Sequence, residues 1–214
     1  LRRLADDLRP HVQTLRLGIN ESVSMLSSVQ NLRKLDMHMT EPLKVGILPN
    51  HLTTLQLSGD LSEPLKVGVL PSALQHLLIY GDWNQPLGIG VLPDNLERLL
   101  LCGFFNRALV VGALPPRLRH LTLWCNFNSC FERGVLPPSL THLSIGGIFN
   151  EPLRAGVLPE HLTHLTFGGG FNQRIAPGVL PDSLTHFTVG TVYNQPFEEG
   201  VLPTNLTHLT VGTC

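Results

Sequence analysis

The chain has 214 residues, is 43% hydrophobic and only 14% charged, and carries a formal net charge of −1. One sizeable core at single-domain length is therefore within reach, while near-neutrality excludes a chain-wide electrostatic pull toward nucleic acid or an anionic membrane. No apolar run approaches the roughly 20 residues of a membrane span.

In chain order, Leu1, Leu4 and Leu8 fit one helical face that Pro10 ends. Val12, Leu15 and Leu17 follow with strand spacing, Met25, Leu26 and Val29 predict a short helix, and Leu32, Leu35 and Met37 repeat the strand spacing. Residues 1–39 thus read as an N-terminal cap carrying two degenerate repeats, as solenoid ends require.

From residue 40 to 214 the register is fixed. Gly46, Gly68, Gly90, Gly112, Gly134, Gly156, Gly178 and Gly200 lie 22 residues apart, and each is followed by a Leu-Pro pair. A Leu-x-x-Leu-x-Leu pattern comes next, as in Leu140, Leu143 and Ile145, and then an aromatic-Asn pair such as Phe149-Asn150. Eight such turns make one continuous repeat domain. In Leu143-Ser144-Ile145 the apolar residues point one way and the serine the other. One such strand cannot bury its apolar face alone. Stacked on copies about 4.8 Å apart, it lines a parallel sheet with leucine. The predicted fold is mainly β: a right-handed leucine-rich-repeat-type solenoid of about ten short parallel strands, with little helix except near the N-terminus. Proline excludes a helix interior on the return side, for which extended or 3₁₀ segments are expected.

The column Asn84, Asn106, Asn128, Asn150, Asn172 and Asn194 reads as a structural ladder, each amide serving backbone groups of its own turn and the next at a buried corner. The aromatic column beside it fills that corner.

Phe149-Asn150-Glu151-Pro152-Leu153 and Trp83-Asn84-Gln85-Pro86-Leu87, each followed by Gly-Val-Leu-Pro and a Leu-rich strand, carry a family resemblance. Across about residues 40–214 the repeat resembles the FNIP repeat, a leucine-rich-repeat relative named for Phe-Asn-x-Pro. Departures are Ala108, Cys130 and Arg174 in the proline column and Ser62 in place of the first Asn. The resemblance implies an interaction scaffold, in some members joined to an F-box or kinase domain.

Three columns face outward from the strands. One reads Thr54, His76, Arg98, His120, His142, His164, His186, His208. The file His76, His120, His142, His164, His186 and His208 invites a metal, but zinc wants tetrahedral ligands and a straight file offers two at a time, with no carboxylate or thiolate beside them. The expectation is a stacked polar ladder with no metal and no cofactor, whose like charges would weaken this face in acid. Tyr80, Arg98, Leu100, Arg119 and Trp124 break the late Thr-His-Thr-Gly pattern, and Tyr, Trp and Arg are the residues that anchor interfaces. They form the candidate partner site.

Motifs for hydrolase, nucleotide or metalloprotease chemistry are missing, so the chain is read as no enzyme. The expected function is binding of a protein partner, neither nucleic acid nor membrane. Homodimerisation through the C-terminal edge, residues 206–214, is the alternative. Cys102, Cys125, Cys130 and Cys214 form no CxxC pair and read as free thiols, which points to a reducing, cytoplasmic setting.

Overall fold

The computed structural model describes residues 12–18, 26, 31–39, 41–59 and 61–212. Among these residues ten strands form one sheet: β1 (Thr14–Leu17), β2 (Lys34–Met39), β3 (Thr54–Gly59), β4 (His76–Ile79), β5 (Arg98–Gly103), β6 (His120–Cys125), β7 (His142–Ile145), β8 (His164–Phe167), β9 (His186–Val189) and β10 (His208–Val211). Their spatial order is their chain order and every pairing is parallel. Columns 22 residues apart in the chain become rows in space, as in Leu121 beside Leu143 beside Leu165.

Alternation places the core. In β7, Leu143 and Ile145 are buried while His142 and Ser144 are half-buried on the other face. The leucine before each strand is sealed as well: Leu52, Leu74, Leu96, Leu118, Leu140, Leu162 and Leu184 are all at 0% exposure. Burying one leucine contributes about 1.5–3 kcal/mol, so a turn that brings three gains most of its stability from its neighbours. The aromatic column stacks at the corner, with ring centroids 5.4 Å apart from Trp83 to Phe105, then 6.1, 6.1, 6.0 and 6.1 Å through Phe127, Phe149 and Phe171 to Tyr193.

The return side differs from the expected extended or 3₁₀ path. It is a pair of tight turns per repeat. Val69 N–H donates to Lys66 C=O at 3.2 Å around Gly68, whose φ of 82° a 3₁₀ segment cannot contain. Positive φ at the third position marks a type II turn, and glycine takes it without steric cost. Leu74 N–H then donates to Pro71 C=O at 3.0 Å, closing the second turn into the next strand. The helices expected at Leu1–Leu8 and around Met25 and Val29 lie outside the described residues, of which Leu26 is buried. No helix among the described residues is long and apolar enough to cross a membrane.

From Asn84 to Asn172, each asparagine Oδ1 accepts the backbone N–H of the asparagine one turn on, at 2.9 Å (84 to 106), 2.9, 2.8, 2.8 and 3.0 Å (172 to 194). This corner is partly exposed, not buried: Asn106, Asn150 and Asn194 are open to solvent because the aromatic rings, not the amides, occupy the interior. At the other end of the stack β10 is exposed along its length, with Leu209 at 41% and Val211 at 49%.

Candidate functional site

The outward strand face is ordered row by row, and the histidine file is its most regular part. From His120 to His142 the ring centroids are 4.3 Å apart, and then 4.2 Å at each step through His164 and His186 to His208. The interplanar angle falls from 21° at the first step to 6° at the last. Each later ring sits beside the hydroxyl of the preceding threonine, with Nδ1 2.9 Å from Oγ1 of Thr141, Thr163, Thr185 and Thr207 in turn. Those hydroxyls donate onward to the backbone carbonyl one turn back, Arg119, Thr141, Thr163 and Thr185 respectively, at 3.0–3.1 Å.

His120 breaks the pattern because Arg119, not threonine, precedes it, so its buried Nδ1 has no hydrogen-bond partner. Burial, then the Arg98 and Arg119 guanidiniums, hold the His120 ring below the ordinary imidazole range. Burial first, then the neighbouring histidines, push His142 down to about 4. Burial likewise lowers His164 and, with Arg98, His76. Arg98 takes the place between His76 and His120 in the register. The described residues hold no group of three or more His, Cys, Asp or Glu side chains arranged for a metal ion.

The five residues that interrupt the pattern are spread over β4 to β6 and the segments beside those strands. Arg98 and Leu100 lie on β5, facing His120 and Thr122 of β6, with Arg98 exposed and Leu100 half-buried. Tyr80 is half-buried just past β4. Arg119 stands outside the strand, in the threonine column. Trp124 is 61% exposed and turns away from Tyr80, toward later turns: its Nε1–H donates to Ser144 Oγ at 2.9 Å. One face of the indole lies over Gly146, where a Cβ would meet ring atoms at 3.3–3.5 Å. The indole also borders an apolar trough lined by Gly146, Gly147, Gly168 and Gly169 and edged by Thr166 and Thr188. The trough exists because the glycine column is packed backbone to backbone, leaving no room for side chains.

Sequence reasoning passed over a second exposed apolar row. Val45, Val67, Ile89 and Val111, on the return side, are 66%, 64%, 68% and 58% exposed. Each precedes the turn glycine of its repeat, and Ile89 reaches to 3.9 Å of where a Cβ on Gly112 would stand. The signal was in the alignment of repeats: the same column continues as Arg133, Ala155, Pro177 and Glu199, so the row is aliphatic only in its first half. A groove between 41–45 and 61–69 runs beside its start.

Comparison with known proteins follows the same lines. The FNIP Repeat family matches residues 40–82, 105–148, 149–191 and 171–214. No curated protein matches the chain. Among solved structures it is similar to CroV588, described as a novel circular LRR protein, at 38% identity and a TM-score of 0.74, covering 86% of this chain and 31% of that one. YopM from Yersinia enterocolitica is 25% identical with a TM-score of 0.61, over 94% of this chain and 42% of its own length. An internalin, inlF, from Listeria monocytogenes shares the fold at 19% identity and a TM-score of 0.55, over 89% of this chain and 64% of its own. The chain therefore spans about a third of the length of CroV588 and under half that of YopM.

Proposed function

This chain belongs to the FNIP-repeat family, and from that premise we propose that it is a protein-interaction scaffold that receives its partner on the outward strand face, with Trp124 as the anchor and Tyr80, Arg98, Leu100 and Arg119 along its flank. Its fold is that of LRR-type repeat proteins, which typically serve as non-enzymatic interaction scaffolds.

The observation that carries the reading is the state of Trp124. A large aromatic ring, mostly in solvent, is held in one orientation by its own hydrogen bond and by a glycine floor. Fixing it in a complex therefore loses little further entropy, and covering it buries a large apolar surface; such residues supply most of the energy at an interface. The reading is non-catalytic. The later histidines spend their rings on stacking and on the threonine hydroxyls, and burial keeps the thiols of Cys102 and Cys125 protonated. Free thiols at Cys102, Cys125 and Cys130 suit a reducing, cytoplasmic setting.

The test is affinity capture from the source cell with the chain against its Tyr80→Ala, Trp124→Ala double variant, with melts of both run alongside. Loss of one defined partner at an unchanged melting temperature supports the site. Equal capture by both refutes it.

A second reading is self-association through the β10 edge, where Leu209 and Val211 are exposed. Light scattering would show a dimer that Leu209→Asp dissociates. A monomer at all concentrations would end this reading.

A further inference from the structure

The threonine–histidine contacts bear on where the ring protons are. A threonine hydroxyl holds one proton. When the Thr163 hydroxyl, 3.1 Å away, gives that proton to the Thr141 carbonyl as a third donor beside Thr163 N–H and His164 N–H, the proton is spent. The 2.9 Å contact between Oγ1 and His164 Nδ1 is then a hydrogen bond only if the ring donates. The same relay recurs at His142, His186 and His208. In that arrangement each of the four rings is the Nδ1–H tautomer, with its remaining lone pair on Nε2.

We infer that the histidine file is an acid-sensitive clasp across the last turns of the solenoid: neutral, tautomer-locked rings hold β6–β10 in register, and proton uptake at Nε2 sets cations face to face at 4.2 Å and loosens that face. Nδ1 is already protonated, so no internal rearrangement can relieve the charge. The groups around the file offer little compensation. Arg98 on β5 and Arg119 before β6 are cations that add to the repulsion, as does His76 on β4. Glu97 is a carboxylate acting on the file, and it acts on His76 and His120, at the end away from the relay. The outward neighbours on β7–β10 are Ser144, Thr166, Thr188 and Thr210, all uncharged.

The direction of the pH effect follows. In the unfolded chain these imidazoles take up protons below about 6.5. In the fold, burial and neighbouring rings hold His142 to about 4 and keep His164 below its ordinary value. Between those limits the unfolded state binds more protons, so the file's stabilisation is complete above about pH 6.5 and declines as the pH falls toward 4.

Two measurements on the full chain test this. Nitrogen-detected imidazole spectra at pH 7.5 should show the proton on Nδ1 of His142, His164, His186 and His208, the reverse of the tautomer that free histidine prefers. Thermal melts at pH 7.5 and pH 5.0 should differ by ~5 °C or more, and His142→Gln, His164→Gln, His186→Gln together should remove at least half of that difference. Protons on Nε2, or a melting difference that the triple variant keeps in full, would overturn the inference. If the triple variant does not fold, Thr163→Val serves instead: it deletes one relay and should return His164 alone to the Nε2–H form.

Discussion

Two adjacent glycines separate the packing argument from any general fragility of the glycine corner. A Cβ built on Gly168 would lie 2.8 Å from Gly146 Cα, 3.1 Å from its carbonyl carbon and 3.2 Å from Gly147 N, where ordinary contact begins near 3.4 Å. All three are backbone atoms of the turn below, so no rotamer change relieves the clash. The inter-turn gap would have to widen by about half an ångström at the point where Gly168 N–H reaches Ile145 C=O at 2.8 Å. Overpacking of this kind costs about 1–3 kcal/mol, and an unyielding backbone partner places Gly168→Ala in the upper half of that range. At about 2–4 °C per kcal/mol for a chain of this size, the melting midpoint should fall by roughly 4–12 °C. A Cβ on Gly169, by contrast, meets only Thr191 Oγ1, at 3.7 Å, and its φ lies outside the left-handed region. Gly169→Ala should therefore stay within ~0.5 kcal/mol of the parent, or gain slightly from a stiffer unfolded chain. Both variants are compared by urea unfolding and by melting at pH 7.5. Equal losses at the two positions, or no loss at Gly168, would show that the turns are not packed backbone to backbone and that the trough beside Trp124 is not rigid.

The remaining predictions concern other columns. Asn150→Ala removes the acceptor of Asn172 N–H and should cost about 1 kcal/mol in a urea titration, the modest value set by a partly exposed corner, while Asn150→Asp keeps an acceptor oxygen and should lose much less. Phe149→Ala opens a hole among Phe127, Phe131, Phe167 and Phe171 and should cost about 3–5 kcal/mol. Burial pushes the Cys125 thiol up to about 11, so at pH 8 in the folded chain it should resist a thiol reagent and react only once the protein is unfolded.

The sheet was legible because two periodicities coincide. Alternation in Leu143-Ser144-Ile145 sets which side is core, and a constant 22-residue spacing sets which residues are neighbours, so register needed no further information. The return side was legible only in part. Proline correctly excluded a helix there, but glycine at one fixed place signalled a turn with positive φ at Gly68, and an extended or 3₁₀ path ignores that signal. At the corner, the pattern located the asparagine column but not its exposure, which depends on the aromatic rings taking the interior.

Column reading does not give a side chain's direction where that direction depends on the next turn. Trp124 and Tyr80 share a column, so sequence alone joined them into one patch. Yet the indole goes where space exists, and the nearest space lies over Gly146, on the later side. Ser144 then fixes it there with an acceptor that no repeat consensus would mark as special. The threonine–histidine relay was hidden for the same reason: it runs from the ring through a threonine hydroxyl to a carbonyl one turn back. In a solenoid the repeat unit determines the fold, but the chemistry of its surface belongs to pairs of turns. Single substitutions such as Thr141 to Arg119, one turn earlier, therefore change what the neighbouring turn can do. His120, left with an unpartnered Nδ1 beside Arg98, is the visible result. It lies at the boundary between the varied early turns and the uniform late ones, and the exposed Trp124 stands on the same strand.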